Sequence, residues 1–306
     1  MSHVTPRWAL GTVRLRATEA LRRARGRTTG APIAAPVLPR PTLTHRRRPM
    51  RLAQVLVASD LNQHYLACWP LARRAWSEIA GVEPVLVLVA PAEEAPEELR
   101  SDPQVHVFEP VPGLHTAFQA QCIRLLFPAL LETDGAVLTA DVDMVPLNRS
   151  YFRRPAARID ERHFLCYRDV LLPICQLAIC YNAARPDTWR ELFAVDGPEN
   201  VRARLAEWGA GLEYDGVRGG AGWDTDQQIL YQTVLDWGRR TRRAWILDDR
   251  YTGVRRLERA PLQKWGLTAA DERRLRHGRY SDFHCLLPFR EHAELNERVV
   301  ELASRR

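Results

Sequence analysis

The feature that most constrains the fold is an apolar segment that runs into two carboxylates, AVLTADVDMV at residues 136–145. Because its first half is continuously apolar rather than alternating, it predicts a strand that is buried on both faces, as in a parallel sheet. The preceding Asp134-Gly135 is a turn signal. In an extended segment, residues two apart point to the same side, so we expect Asp141 and Asp143 to face one point at the carboxyl end of this strand.

Two carboxylates at such a point need a partner. Ligands of open α/β sheets bind at the carboxyl ends of the strands. Asp141 and Asp143 have no neighbouring cation in the sequence and would repel each other. A hard divalent cation such as Mn²⁺ or Mg²⁺, which prefers oxygen ligands, would relieve that repulsion. The segment therefore predicts a metal site.

The region before this segment alternates apolar strands with helices, which indicates a parallel α/β sheet. The helix over residues 116–131 is expected to bury Phe118, Cys122, Leu125 and Leu126, which follow helical spacing. Before residue 143 the pattern predicts strands at 51–59, 84–89 and 105–108 and helices at 65–79 and 116–131. After it the pattern predicts strands at 163–168, 176–181, 244–247 and 283–285 and helices at 187–193, 198–208, 224–237 and 291–302.

The positive charge of the chain is concentrated at its amino-terminal end. Residues 1–50 carry eleven arginines and one acidic residue, Glu19, whereas the rest of the chain carries 33 basic and 36 acidic side chains. This distribution does not predict nucleic-acid binding. Residues 8–25 fit a basic amphipathic helix that could lie on an anionic membrane. The alternatives are a disordered tail, in keeping with its prolines, or a true start at Met50.

Cysteine usage bears on the compartment. The six cysteines form no Cys-x-x-Cys pair, and the start of the chain lacks the apolar core of a signal peptide. We therefore expect a cytoplasmic protein, at the inner face of the membrane if the basic helix forms.

Five sequence elements, in this order, resemble GT-A fold glycosyltransferases, the nucleotide-diphospho-sugar transferases. Together they span most of residues 51–300. They are the βαβ-like stretch at 55–89, the helix motif Gln121-x-x-Arg124-Leu125, Asp141-x-Asp143, Asp224-x-Asp226-Gln227-Gln228, and His284 followed by Pro288-Phe289.

The resemblance implies a fold and a reaction. The fold is α/β: a single GT-A-like domain with a Rossmann-type mixed sheet flanked by helices, over residues 51–306. Residues 51–145 would form the nucleotide-binding half and residues 146–306 the acceptor-binding half. The reaction is transfer of a hexose from a UDP- or GDP-sugar to a hydroxyl of a glycan or small-molecule acceptor.

The resemblance also assigns residues. Asp141, Asp143 and His284 would hold Mn²⁺ or Mg²⁺, which neutralises the diphosphate leaving group. The sugar-nucleotide donor would be contacted by Ser59, Asp60, Asn62, Gln121, Arg124 and Asp141. Each assignment competes with a structural role. Asp141 and Asp143 could form a strand-end turn, and residues 59–62 a β–α turn. Arg124 could be a solvated helix arginine, and His284 a surface or core histidine.

The candidate general base lies at the start of a predicted helix. Asp224 suits the N-cap position, so Asp226 is the better candidate to deprotonate the acceptor hydroxyl. If the enzyme retains the anomeric configuration, Asp226 would bind the sugar instead. Both could also simply complement the helix dipole.

Two other functions compete. Residues 138–145 also match the Asp-x-Asp pattern of haloacid-dehalogenase-type phosphatases, in which the first aspartate is the nucleophile. That family needs a lysine before a late acidic pair, but Lys264, the only lysine, follows Asp248-Asp249. The third interpretation is a protein that binds a nucleotide sugar without turning it over.

Overall fold

Two sheets organise residues 48–249 and 254–305, which are the residues that the computed structural model describes. The strands are β1 Leu52–Asp60, β2 Glu83–Val89, β3 Val105–Phe108, β4 Ala136–Thr139, β5 Met144–Pro146, β6 Phe164–Cys166, β7 Asn182–Ala184, β8 Ala244–Ile246, β9 Arg255–Leu257 and β10 Tyr280–His284.

The larger sheet has seven strands in the order β3-β2-β1-β4-β7-β6-β8. The first four are mutually parallel, with Val55 opposite Leu138 across β1 and β4. β7 runs antiparallel to both of its neighbours, β4 and β6, while β8 is parallel to β6. The sheet is thus mixed, as the predicted fold class requires.

Helices cover both faces of this sheet. They are α1 Gln63–Leu66, α2 Trp69–Ala75, α3 Glu97–Arg100, α4 Thr116–Leu126, α5 Arg149–Ala156, α6 Pro186–Phe193, α7 Pro198–Gly209, α8 Thr225–Thr241, α9 Arg259–Trp265, α10 Ala269–Arg276 and α11 Ala293–Ser304. β1 alternates its side chains between two cores: Val55 and Val57 face a core around Trp76, and Leu56 faces one around Trp189. The predicted α/β domain flanked by helices is confirmed.

The predicted strand over residues 136–145 is two strands in two sheets. β4 ends at Thr139, and a tight turn follows in which the backbone N–H of Met144 donates to the Asp141 carbonyl at 3.0 Å. β5 then joins the smaller sheet, of order β5-β10-β9. The expectation that Asp141 and Asp143 share one direction along an extended strand is therefore wrong.

Other sequence predictions differ at their boundaries. Residues 176–181 are not a strand, and the neighbouring strand is β7. The predicted helix at 65–79 is divided, since Pro70 lies in the first turn of α2 and cannot continue a preceding helix. The helix begun at Thr116 narrows to a 3₁₀ turn after Leu126, where Pro128 follows. Its predicted apolar face, including Phe118 and Cys122, is buried as expected.

The predicted helix over residues 8–25, and the basic tail up to residue 47, lie outside the described residues. Met50 is buried, and its backbone N–H donates to the Ile159 carbonyl at 2.8 Å. All six cysteines are free thiols. Among the described helices, none is long and apolar enough to cross a bilayer.

Gly135 is required by a close approach of β1 to the start of β4. A Cβ at this position would lie 2.6 Å from both the Arg51 carbonyl oxygen and the Ala53 Cβ. We expect Gly135→Ala to lower the free energy of unfolding by roughly 1–3 kcal/mol, the usual cost of overpacking, as measured by urea denaturation. Gly197→Ala is the control, because a Cβ there meets no atom within 4 Å. Equal stability of the two variants would contradict this assignment.

Candidate active site

A cavity of about 1130 Å³ opens at the edge of the larger sheet where β1, β4 and β6 end. It is lined by most of the residues predicted from the sequence. Those present are Ser59, Asp60, Gln121, Arg124, Asp141, Asp143, Asp226 and His284. Asn62 and Asp224 are not part of the lining. The chain therefore gathers side chains from five separate segments at one place, on the sheet edge where ligands of α/β proteins bind.

One side of the cavity is held by a buried arginine between two carboxylates. Arg124, on the last turns of α4, is 7% exposed. Its Nη1 donates to the Asp141 carboxylate, and its Nη2 donates to Asp226 Oδ2 at 3.0 Å. The alternative of a solvated helix arginine is therefore wrong. The expected contact of Arg124 with a phosphate or sugar stays a prediction, because both terminal nitrogens of its guanidinium donate to carboxylates of the protein.

Asp226 has an unusual environment for a carboxyl group. It is 3% exposed, and its Oδ1 accepts from the backbone N–H of Gln227 at 2.8 Å. Burial raises the pKa of Asp226 from 3.8 to about 7; Arg124 opposes this rise and Asp141 adds to it. A carboxyl group with a pKa close to neutrality can accept and return a proton under ordinary conditions.

The opposite side of the cavity is a pair formed by Asp143 and His284. The antiparallel ladder of β5 and β10 places His284 opposite Met144, the residue after Asp143. His284 Nε2 lies 2.7 Å from Asp143 Oδ2. The backbone N–H of Cys285 also donates to the Asp143 carbonyl at 2.8 Å. Sheet register thus fixes a histidine and a carboxylate that lie 141 positions apart in the sequence.

The Asp143 carboxylate is kept ionised. Burial would raise its pKa, but His284 and then Arg259 outweigh burial, so that the pKa of Asp143 is lowered. Arg259, at the start of α9, reaches within 3.7 Å of Asp143 Oδ2. The Asp143 carboxylate is 4% exposed and anionic, and it lies beside the His284 imidazole. Together these two groups are suitable ligands for a divalent cation.

The residues present fit such a cation in part. Asp143 and His284 are adjacent, but Asp141 turns towards Arg124. Among the described residues, no three His, Cys, Asp or Glu side chains converge closely enough to hold a metal. The pair would supply two ligands, and the oxygens of a bound diphosphate or a reoriented Asp141 would supply the others.

The end of β1 forms a polar corner of the cavity. Asp60 Oδ2 accepts from the Thr116 hydroxyl at 2.9 Å and Oδ1 from the backbone N–H of Asn62 at 3.1 Å. Asn62 in turn caps α1, since its Oδ1 accepts from the backbone N–H of His64 at 3.0 Å. Ser59 and Asp60 thus face the cavity, whereas the Asn62 side chain serves the helix.

The start of α8 differs from the expected cap. Asp224 occupies the N-cap position, but its side chain makes no capping hydrogen bond. Its Oδ1 accepts from Gln227 Nε2 at 3.3 Å instead. Of the two candidate bases, only Asp226 lines the cavity. Next to this helix start, Trp223 lines the cavity, and its ring is nearly parallel to that of Tyr214, with 6.4 Å between the ring centroids.

Five arginines in the cavity wall are not indicated by the sequence pattern. They are Arg168, Arg218, Arg255, Arg256 and Arg259. Arg256 and Arg259 belong to β9 and α9, two short elements with no clear periodicity in the sequence. Arginine is so abundant in this chain that residue type alone gave no signal.

The structure also bears on the phosphatase interpretation. Lys264 Nζ lies over the Trp265 ring at 4.6 Å and does not line the cavity. Asp141, the nucleophile of that reaction, is paired with Arg124 instead. The pattern of a phosphatase of this type is therefore incomplete at the site.

No family model and no curated protein matches the sequence. Among solved structures, the chain is similar to the apo form of glycosyltransferase GlyE from Streptococcus pneumoniae TIGR4, with 13% identity, a TM-score of 0.46, and coverage of 83% of this chain and 62% of that chain. It is also similar to the galactosyltransferase LgtC, solved with donor and acceptor sugar analogues (13% identity, TM-score 0.40, 82% and 95% coverage). The chain thus spans less than two thirds of the GlyE chain. The likeness is distant, and the function proposed next is supported by the geometry of the cavity.

Proposed function

We propose that the chain is a glycosyltransferase that moves a hexose from a nucleoside-diphosphate sugar to a hydroxyl acceptor with the help of Mn²⁺ or Mg²⁺. The observation that carries this proposal is the Asp143–His284 pair, set in the same cavity as Ser59 and Asp60 at the end of β1. A cation held by that pair would neutralise charge on the diphosphate leaving group.

The chain's own residues account for the rest of the site. Arg259, beside Asp143, would bind a phosphate oxygen through its guanidinium. Ser59 and Asp60 would hold the nucleoside. Asp226 would take the proton of the acceptor hydroxyl, or bind the transferred sugar if the configuration is retained.

Arg124 would position both functional carboxylates rather than react. Its two hydrogen bonds fix Asp141 and Asp226 relative to each other across the cavity. The acceptor would be a glycan or small-molecule hydroxyl, and the donor a UDP- or GDP-sugar. We also propose a cytoplasmic location, at the inner face of the membrane through the basic tail.

A thermal-shift panel tests the proposal. The full chain is heated with UDP, GDP, CMP or TDP and their sugars, each with Mn²⁺ and with a chelator instead. One nucleotide is expected to raise the Tm only when Mn²⁺ is present, since a ligand at 100 times its Kd stabilises the folded state by about 2.7 kcal/mol.

The panel separates the parts of the proposal. If no nucleotide raises the Tm under either condition, the donor site is wrong. If one nucleotide raises the Tm equally with the chelator, donor binding stands and the metal requirement is wrong. Release of free sugar from the donor then distinguishes an enzyme from a protein that only binds the nucleotide sugar.

A further inference from the structure

A second charged cluster lies in the wall of the same cavity. Arg168 follows β6, whose carboxyl end points to the same edge as that of β4 because two antiparallel steps separate these strands. Arg168 Nη2 donates to Asp282 Oδ1 at 2.5 Å, and Arg256 Nε donates to Asp282 Oδ2 at 3.1 Å. Two guanidinium groups from different sheets therefore meet on one carboxylate.

The position of this cluster is set by β10. Asp282 and His284 are two residues apart on this strand and so project from the same face. The rise of a strand places them about 7 Å apart. The carboxylate that holds the arginine pair thus lies on the same face of β10 as His284.

Asp282 is a buried anchor. It is 0% exposed and also accepts hydrogen bonds from the Tyr181 hydroxyl at 3.2 Å and the Ser281 hydroxyl at 2.5 Å. Burial lowers the pKa of the Arg256 guanidinium, and Asp282 more than offsets this, so that its pKa is raised. The anchor therefore fixes both guanidinium groups in their charged form.

Arg168 retains unused hydrogen-bonding capacity. It is 4% exposed and lines the cavity, yet its Nε has no hydrogen-bond partner. Asp249 Oδ1 lies 3.6 Å from this Nε, too far for a hydrogen bond, and its side chain is 37% exposed. A buried donor without a partner is costly, and a ligand that accepts its hydrogen bond removes that cost.

We propose that Arg168 and Arg256 form an oxyanion subsite, which receives a carboxylate or phosphate carried by one of the sugar substrates. The inference deepens the proposed function, on which the identity of the sugar rests. Planar guanidinium groups bind carboxylates and phosphates through paired hydrogen bonds. A neutral hydroxyl would satisfy the free donor but would form no charge-assisted, paired hydrogen bonds with the two guanidinium groups.

Inorganic phosphate is the first probe, titrated calorimetrically into the full chain without metal. We expect Arg256→Gln and Arg168→Lys each to raise the Kd of phosphate about tenfold, since each removes part of a charge-assisted contact. Arg168→Lys keeps the charge and loses the planar fork. Arg240→Gln, on the exposed end of α8, is expected to bind phosphate as the wild type does. Arg259→Gln, at the Asp143 end of the cavity, reports whether phosphate binds there instead.

Three outcomes overturn the subsite. One is unchanged phosphate affinity in both folded variants, Arg256→Gln and Arg168→Lys. Another is loss of affinity in Arg259→Gln alone, which would place the anion at the Asp143 end. Absence of phosphate binding in the wild type at millimolar concentration would also overturn it. None of these results depends on nucleotide binding, so the proposed function can fail while the subsite stands.

The source of the anion is resolved in a second arm. With the nucleotide found in the thermal-shift panel, the hexose and hexuronic-acid forms of the donor are compared on wild type and Arg256→Gln. A preference for the uronic acid that Arg256→Gln abolishes assigns the anion to the donor. If the two donors bind equally and Arg256→Gln lowers transfer only to anionic acceptors, the anion belongs to the acceptor.

Discussion

Replacing Arg124 with methionine is expected to lower the free energy of unfolding by about 3–5 kcal/mol at pH 8. Arg124 is the shared partner of Asp141 and Asp226, and its removal leaves a carboxylate that is 3% exposed without a counter-charge. Breaking a buried ion pair from one side costs this much because the remaining charge stays desolvated. Urea denaturation of wild type and variant measures the difference.

The loss is expected to depend on pH. The pKa of Asp226 is about 7 in the folded protein, against an ordinary 3.8. Between these values the folded state binds a proton that the unfolded state has lost, so the free energy of unfolding falls as the pH rises through this window. Without Arg124 the pKa of Asp226 rises further. The difference between variant and wild type should therefore be small at pH 5 and grow as the pH rises above 7 towards the raised pKa of the variant.

Two further variants make this result specific. Arg73→Met removes a comparable ion pair with Asp102, but the Arg73 side chain is 43% exposed, so we expect a loss below about 1 kcal/mol. The double variant Arg124→Met, Asp226→Leu removes the stranded charge and should recover part of the stability. A loss of similar size at pH 5 and pH 8 would mean that packing of the Arg124 stem, rather than its charge, stabilises this site.

The parallel half of the sheet could be predicted from the sequence, because its strands are continuously apolar and alternate with helices. β2 and β3 lie within one residue of their predicted bounds. Such strands are buried on both faces, so their composition is dictated locally. The helix at Thr116 was predicted for a similar reason, since its buried stripe has helical spacing.

The rest of the fold is decided by long-range pairing. β5, β9 and β10 are three to five residues long, and β5 continues an apolar run that looks like one strand with β4. Nothing within residues 136–145 indicates that the chain turns at Asp141 and changes sheets. Likewise the segment at 176–181 is apolar enough for a strand, but the ladder with β4 begins at Asn182 instead.

The sequence predicts which residues belong to the site but not how their side chains are arranged. Eight of the ten predicted residues line the cavity, because the order of the motifs along the chain indicates which segments come together. The direction of each side chain depends on partners far away in sequence. Asp141 faces Arg124 and Asp143 faces His284, so the two aspartates diverge where a shared strand face predicted convergence.

Replacing Asp143 with asparagine is expected to lower the rate of transfer by roughly 10²–10³-fold, which is what loss of one electrostatic contact to a developing charge costs. Asparagine keeps the shape of the side chain, so the fold should survive. The carboxylate charge beside His284 is lost, and the concentration of Mn²⁺ needed for half-maximal activity should rise. Release of nucleoside diphosphate from the donor found in the thermal-shift panel measures both quantities.

Asp160→Asn is the matched control for this variant, because Asp160 is also a buried carboxylate beside a histidine. It is 5% exposed, and its Oδ1 lies 3.9 Å from His163 Nδ1, outside the cavity. Asp160→Asn is expected to change stability but not turnover. The comparison therefore separates the general effect of losing a buried carboxylate from the specific effect of Asp143 on the rate of transfer. If folded Asp143→Asn keeps wild-type turnover and the same response to Mn²⁺, then Asp143 does not hold the metal. The position of Arg259, 3.7 Å from the Asp143 carboxylate, would then make that guanidinium the cation that faces the leaving group.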